Sequence, residues 1–353
     1  MLTRRVPHLA AATATATALI TLGAAPPAHA SALHLVRPGE SIQQAVDAAA
    51  PGDTVQLLPG SYQGSVLVTT SDLTIRGAGP ESVITPAAAD TGACATAGHG
   101  LCVTGAEGHR LTGVHLEALT VSGFRKNGVT ASETDGLTVR AVRALDNGQQ
   151  GISQEKSVRG VFRGNEAVGN GQSGIFLANA VDTEGGAIDT EGAVIADNRL
   201  DDNRIGVTVR RARDLTVEHN SISGNCGGVF VVGDEGVPRA GALTVSGNRV
   251  VGNNKYCPPN PRLDAIQGTG ILFTGAEDSL VTGNQVQDNV GSSSMSGGIV
   301  LYRSLVGVPN ARITVSGNLV SGNGPADLAD RDTGTTNVFT RNHCAVSEPA
   351  GRC

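Results

Sequence analysis

The sequence predicts an all-β chain wound into a parallel β-helix, and three observations carry that expectation. Glycine is abundant, 48 of 353 residues, while aromatic residues make up only 3% and tryptophan is absent. A core without large rings must be filled by small and β-branched side chains, which suits short stacked strands. Asparagines recur in pairs five residues apart: Asn165/Asn170, Asn198/Asn203, Asn220/Asn225, Asn248/Asn253, Asn284/Asn289 and Asn318/Asn323. A glycine followed by a β-branched residue recurs in step with them, as Gly128-Val129, Gly151-Ile152, Gly174-Ile175, Gly206-Val207, Gly228-Val229, Gly270-Ile271 and Gly298-Ile299.

At the N-terminus, Arg4 and Arg5 precede an uncharged run from Leu9 to Leu22, and Ala28-His29-Ala30 has the form of a small-residue cleavage site. This reads as a secretory signal peptide over residues 1–30, leaving a single exported domain over 31–353. No later stretch reaches the roughly 18 apolar residues that span a bilayer. Without the leader, 24 basic residues face 32 acidic ones. That balance argues against nucleic acid or an anionic membrane as partner. A monomer is expected.

All six cysteines lie beyond the leader. An even count in an exported chain points to disulfides. Composition leaves the connectivity open. Pairing between sequence neighbours is expected, Cys94–Cys102, Cys226–Cys257 and Cys344–Cys353, each pinning a loop or an end.

The repeat reads (Leu/Ile)-Thr-Val, then Asn, an apolar residue, a second Asn, and Gly-(Ile/Val). Each unit holds three strands too short for helices. Asn and Gly at their ends tolerate the left-handed backbone of sharp corners. Rungs stacked at about 4.8 Å would align like residues into ladders, and a corner Asn can hydrogen-bond along such a ladder. Successive Gly-Ile/Val steps are 23, 23, 32, 22, 42 and 28 residues. The excess in the longer steps must leave the coil as loops, over Asp182 to Gly192, Asp234 to Ala240 and Asn254 to Gln267. Roughly ten rungs are expected.

Residues 36 to 64 run Val-Arg-Pro-Gly-Glu-Ser-Ile-Gln-Gln-Ala-Val-Asp-Ala-Ala-Ala-Pro-Gly-Asp-Thr-Val-Gln-Leu-Leu-Pro-Gly-Ser-Tyr-Gln-Gly. Glu40 or Ser41 can cap a short helix with Ile42, Ala45, Val46 and Ala49 on one face. Pro51-Gly52 ends it, and Thr54 to Leu58 forms a strand. This segment closely resembles the N-terminal cap of the right-handed parallel β-helix proteins of the pectate-lyase-like superfamily. The repeats downstream look like those of its NosD-type and polysaccharide-lyase members. The resemblance covers Leu35 to about His343 and implies a right-handed coil lidded by this cap. A disulfide-bearing tail over about 338–353 would cover the other end.

The resemblance also implies a chemistry. Its enzymes commonly cleave acidic polysaccharides by β-elimination: a base removes the proton next to a uronate carboxylate, which calcium or Arg neutralises. Their site lies on the outer face of one sheet, here assigned to the Gly-Ile/Val strands. Five residues after each glycine stand Glu133, Lys156, Asn179, Arg211, Gly233, Gly275 and Arg303. One residue earlier stand Ser132, Glu155, Ala178, Arg210, Val232, Thr274 and Tyr302. In register, Glu133, Glu155, Lys156, Asn179, Arg210 and Arg211 would cluster. Lys156 or Arg211 would be the base and Arg210 the bidentate grip on the uronate. Glu133 and Glu155 would hold calcium or orient Lys156. Asn179, Tyr302 and Arg303 would touch substrate, as would Phe176 and Phe230, which alternation turns outward.

Asp182, Glu184, Asp189 and Glu191 fall close together in one predicted loop and offer hard oxygen ligands to calcium, without EF-hand spacing. Gly98-His99-Gly100 and Asp201-Asp202 echo polygalacturonases, but in the wrong order. The Asp-Pro-His-Asp signature of alginate epimerases is absent. The leading expectation is a secreted protein that recognises a polysaccharide, with lyase activity as its enzymatic form. A non-catalytic carbohydrate-binding or surface-structural β-helix is the alternative.

Overall fold

The computed structural model describes residues 1–2, 30–180, 185–260, 263–304 and 306–353. Most of the expected leader, with Asp182 and Glu184, lies outside them. Residues Ser31–Cys353 form one compact unit. Among the described residues the strands assemble into three long parallel sheets of 12, 10 and 11 strands, visited in turn by the coiling chain. The first sheet runs from Leu33–Val36 to Val338–Thr340, the second from Gly60–Gln63 to Leu319–Ser321. The third runs from Val66–Val68 to Ser347–Glu348 and contains the Gly-Ile/Val strands.

The corner asparagines build two buried ladders. One, between the first and second sheets, links Asn165, Asn198, Asn220, Asn248, Asn284, Asn318 and Asn342. The other, between the second and third, links Asn147, Asn170, Asn203, Asn225, Asn253, Asn289 and Asn323. In each, a side-chain oxygen accepts from the amide of the rung before, while its own amide donates to the rung after. The ladders thus satisfy backbone and side-chain groups that the corners bury. The second ladder ends on Asp327, whose Oδ1 accepts from Asn323 N and Nδ2.

One continuous apolar core fills the coil from Val36 to Leu328. At its N-terminal end the helix Ile42–Ala48 is capped by Ser41, whose Oγ accepts from Gln44 N at 3.3 Å. Ile42 and Val46 are the buried residues of this lid. At the far end, Arg352 stands 5.3 Å from the Phe339 ring centre and 2.7 Å from Asp330 Oδ2. The Cys344–Cys353 disulfide brackets that residue.

The outer faces of the first two sheets carry inter-rung ion pairs, among them Arg76–Glu117 at 2.9 Å, Arg143–Glu166 at 2.6 Å and Arg163–Asp197 at 2.6 Å. Two local features depart from the sequence expectation. A short helix, Ala93–Ala97, occupies the loop before Cys102. The acidic segment placed in a loop ending at Gly192 is, from Ile188 onward, the strand Ile188–Ala196, with a register shift between Asp189 and Ala193. The chain there joins the first sheet before continuing to its apolar end, Val194-Ile195-Ala196, instead of staying detached.

Candidate functional site

The third sheet sets its residues in register across rungs. Ser132, Glu155, Ala178, Arg210, Val232, Thr274 and Tyr302 form one outward row. A second outward row holds Thr130, Ser153, Phe176 and Thr208. Its hydroxyls are tied down: Thr130 Oγ1 lies 3.2 Å from Ser153 Oγ, which accepts from Asn127 Nδ2 at 3.0 Å. Ser173 and Thr208 hydroxyls lie 2.7 Å apart. The result is a rigid floor.

Two disulfide-held loops border this floor. Cys102 lies in the strand Leu101–Thr104 and joins Cys94. Cys226 stands just before the strand Gly227–Val232 and joins Cys257. Between them the strands Val129–Ser132, Ile152–Glu155, Ser173–Ala178 and Ile205–Arg210 remain. Among the described residues, the side chains of Glu133 and Lys156 have no hydrogen-bond or ion-pair partner. Lys156 is exposed; Glu133, Glu155 and Arg210 are half-buried. The small, buried Ala178 separates Glu155 from Arg210, two strand spacings or roughly 10 Å apart.

Other expected site residues have structural duties. Arg211 is 4% exposed, its Nε 3.1 Å from Asp234 Oδ2. A buried guanidinium locked to a carboxylate cannot serve as a base. Asn179 donates through Nδ2 to Gly186 O at 2.6 Å, anchoring its own loop. Phe176 and Phe230 do point outward, but they are 8% and 1% exposed. Phe230 packs in a second apolar cluster with Cys226, Cys257, Ile266, Leu272 and Met295. That cluster forms where the Cys226–Cys257 loop folds over the sheet, so outward is not exposed there. Tyr302 is 7% exposed, and its hydroxyl donates to Ser294 Oγ at 2.9 Å. Arg303 is exposed beside it.

Of the expected calcium ligands, Asp182 and Glu184 lie outside the described residues, and the other two have local partners. Glu191 is ion-paired with Arg159, and Asp189 Oδ1 accepts from Glu191 N at 2.9 Å. No group of three His, Cys, Asp or Glu side chains forms a metal cluster among the described residues.

The structure adds a margin that the sequence reading missed. Backbone hydrogen bonds align Lys126, Gln149, Gln172 and Arg204 in one column.

 Each of these four residues, Lys126, Gln149, Gln172 and Arg204, stands two positions before a Gly-Ile/Val glycine, and that spacing was the available signal. Arg204 is 8% exposed, donates to Pro258 O at 3.0 Å, and burial lowers its pKa. Next to the column, His99 Nδ1 accepts from Asn127 N at 3.2 Å. Burial, and then the charges of Lys126 and Arg125, push the imidazole down to about 4. His99 is therefore neutral in the fold and protonates readily in the unfolded chain near pH 6.5. Stability linked to His99 is complete above pH 6.5 and is lost as pH falls toward 4. A His99→Gln variant should show a flatter dependence of melting temperature on pH across that window. An unchanged slope would remove His99 from this role.

The comparisons with known proteins agree with this architecture. Residues 181–347 match the family described as periplasmic copper-binding protein (NosD). Among the described residues no copper set is gathered: the six cysteines are in disulfides, Met295 is buried in the second apolar cluster, and no three His, Cys, Asp or Glu side chains come together. No curated protein matches the sequence. Among solved structures, DFA-IIIase from Arthrobacter chlorophenolicus A6 in complex with GF2 is similar at a TM-score of 0.60 and 17% identity, covering 92% of this chain and 90% of that one. The mannuronan C-5 epimerase AlgE4 A-module of Azotobacter vinelandii is similar at 0.52 and 16% identity, covering 87% and 90%. The periplasmic alginate epimerase AlgG is similar at 0.51 and 14% identity, covering 83% and 69%. At these identities the likeness shows the fold, a right-handed parallel β-helix of pectate-lyase-like form. Residues 62–250, more than half of the chain, match the family described as right handed beta helix region, and the chain belongs to that family.

Proposed function

We propose that the outer face of the third sheet binds an acidic polysaccharide outside the cytoplasm. The observation that carries this reading is the register: Glu155, Ala178 and Arg210 share one row, with Lys156 and Glu133 beside it, on the stretch between two disulfide-held loops. The cations Lys126, Lys156 and Arg210 suit carboxylates, while buried Arg204 and the tied hydroxyls hold the face in shape beneath them. AlgE4, AlgG and the GH87 alpha-1,3-glucanase domain, whose structures are similar to this chain, carry sugar-polymer chemistry in their names, which supports the class of ligand. The three disulfides fit an oxidising compartment, reached through the leader over residues 1–30. Recognition without cleavage is favoured, because Arg211 is locked to Asp234 and no described group positions Lys156.

The test is titration calorimetry with polygalacturonate and polymannuronate. Arg210→Ala should weaken binding about 10- to 100-fold, the effect of losing one charged anchor. Wild-type affinity in Arg210→Ala and Lys156→Ala would exclude this face. Ultraviolet absorbance of unsaturated uronates, abolished by Lys156→Ala, would replace recognition alone by β-elimination.

A further inference from the structure

A hollow of about 530 Å³ lies farther along the third sheet, lined by Ser294, Tyr302, Arg303, Pro325, Arg331 and Glu348. Tyr302 is three strand spacings from Arg210 along the same row, roughly 14 Å. The apolar cluster around Phe230 and Leu272, under the loop held by Cys257, separates the two places.

The groups in the hollow are fixed, yet their ligand-facing capacity is unfilled. Arg331 Nη1 donates to Ser294 O and Ser296 O at 3.0 and 2.8 Å. Its Nε and Nη2 donate to Glu348 Oε2 at 3.0 and 2.8 Å. Arg331 is thereby neutralised and held, and Glu348 Oε1 has no partner among the described residues. Ser294 Oγ accepts from Tyr302 and keeps its own proton to donate. Arg303 is exposed, with no hydrogen bond or ion pair among the described residues. The hollow therefore offers a free guanidinium, a hydroxyl donor, a carboxylate acceptor and the apolar surface of Pro325.

A bare sulfate would satisfy Arg303 but has no donor for Glu348, and a phosphate, though its P–OH can donate, has no apolar face for Pro325. A sugar acid satisfies all of them: its carboxylate meets Arg303, its hydroxyls both donate and accept, and its C–H face meets proline. We infer that this hollow is a second saccharide site, taking a uronate unit of the same chain that lies on the Arg210 face. The inference rests on the polysaccharide reading above. Two linked sites raise affinity for a long chain by making the second contact intramolecular.

Titrations with disaccharides, too short to reach both places, and with polymers of galacturonate and mannuronate separate the two readings. Arg303→Ala, at an exposed position, is expected to keep the wild-type melting temperature. It should weaken polymer binding about 100-fold and leave disaccharide binding at the Arg210 face unchanged. Wild-type polymer affinity in Arg303→Ala, with Arg210→Ala impaired, would overturn the second site and leave the first. Wild-type affinity in both variants, or no polyuronate binding by the wild type, would overturn both.

Discussion

Replacing Asn220 by alanine is expected to cost about 4 kcal/mol of stability, read as a shift of the urea midpoint. Asn220 Oδ1 accepts from Asn198 N at 3.0 Å and from Asn198 Nδ2 at 2.9 Å. Its Nδ2 donates to Ile195 O and Asn248 Oδ1, both at 2.9 Å. Truncation leaves two buried donors and two acceptors of neighbouring rungs short of a partner, in a corner where Asn220 itself is 1% exposed. Each such loss costs about 1–3 kcal/mol, and part is recovered by water or local shift. Asn220→Asp keeps the acceptor, loses the donor and buries a carboxylate. Desolvation would raise that carboxyl's pKa, so the variant should be weakest at neutral pH and regain stability as pH falls through its raised pKa. A surface-like loss below about 0.5 kcal/mol for Asn220→Ala would show that the ladders do not hold the corners.

Gly270→Ala should cost about 3 kcal/mol for a different reason. An added Cβ would lie 2.3 Å from Gly298 O and 2.6 Å from Val286 Cγ1. The first contact is backbone of the next rung, and the parallel pairing of Thr269–Thr274 with Gly297–Tyr302 holds it in place. Gly252 separates crowding from backbone strain: its φ is +63°, and nothing lies within 4 Å of an added Cβ. Gly252→Ala should therefore cost only about 1 kcal/mol. Equal midpoints for the two variants would contradict the crowding argument.

These two positions show what kind of information the repeat carries. The paired asparagines and the Gly-Ile/Val steps are legible because stacking forces the same residue into the same place on every rung. The rows containing Glu155 and Arg210 followed from the same regularity. The sequence reading took the glycines for corner residues, whereas Gly270 is required by the close approach of the next rung.

Illegible were contacts made by segments that leave the coil. Alternation correctly turned Phe230 outward, but the return of Cys257 and Ile266 over it depends on a loop without periodicity. Arg211 fell in the predicted column, yet its partner Asp234 comes from another loop. The acidic run ending at Glu191 lacks the repeat's Leu-Thr-Val signature, and its entry into the first sheet follows from pairing of Ile188 and Asp189 with Ala212 and Arg213.

The end of the second asparagine ladder bears on how such a molecule acquires its length. Every asparagine in it both receives and passes on a hydrogen bond, so a rung can be duplicated or deleted within the series without breaking the relay. Asp327 differs: one carboxylate oxygen takes both groups of Asn323, and the other takes the backbone amides of Ala345 and Val346 at 3.0 and 3.2 Å. An ionised carboxylate only accepts, so nothing is passed on. Asp327 acts as a stop signal written in hydrogen-bond polarity. New rungs can be engineered upstream of it with the terminus unchanged, while extension beyond it requires moving the stop.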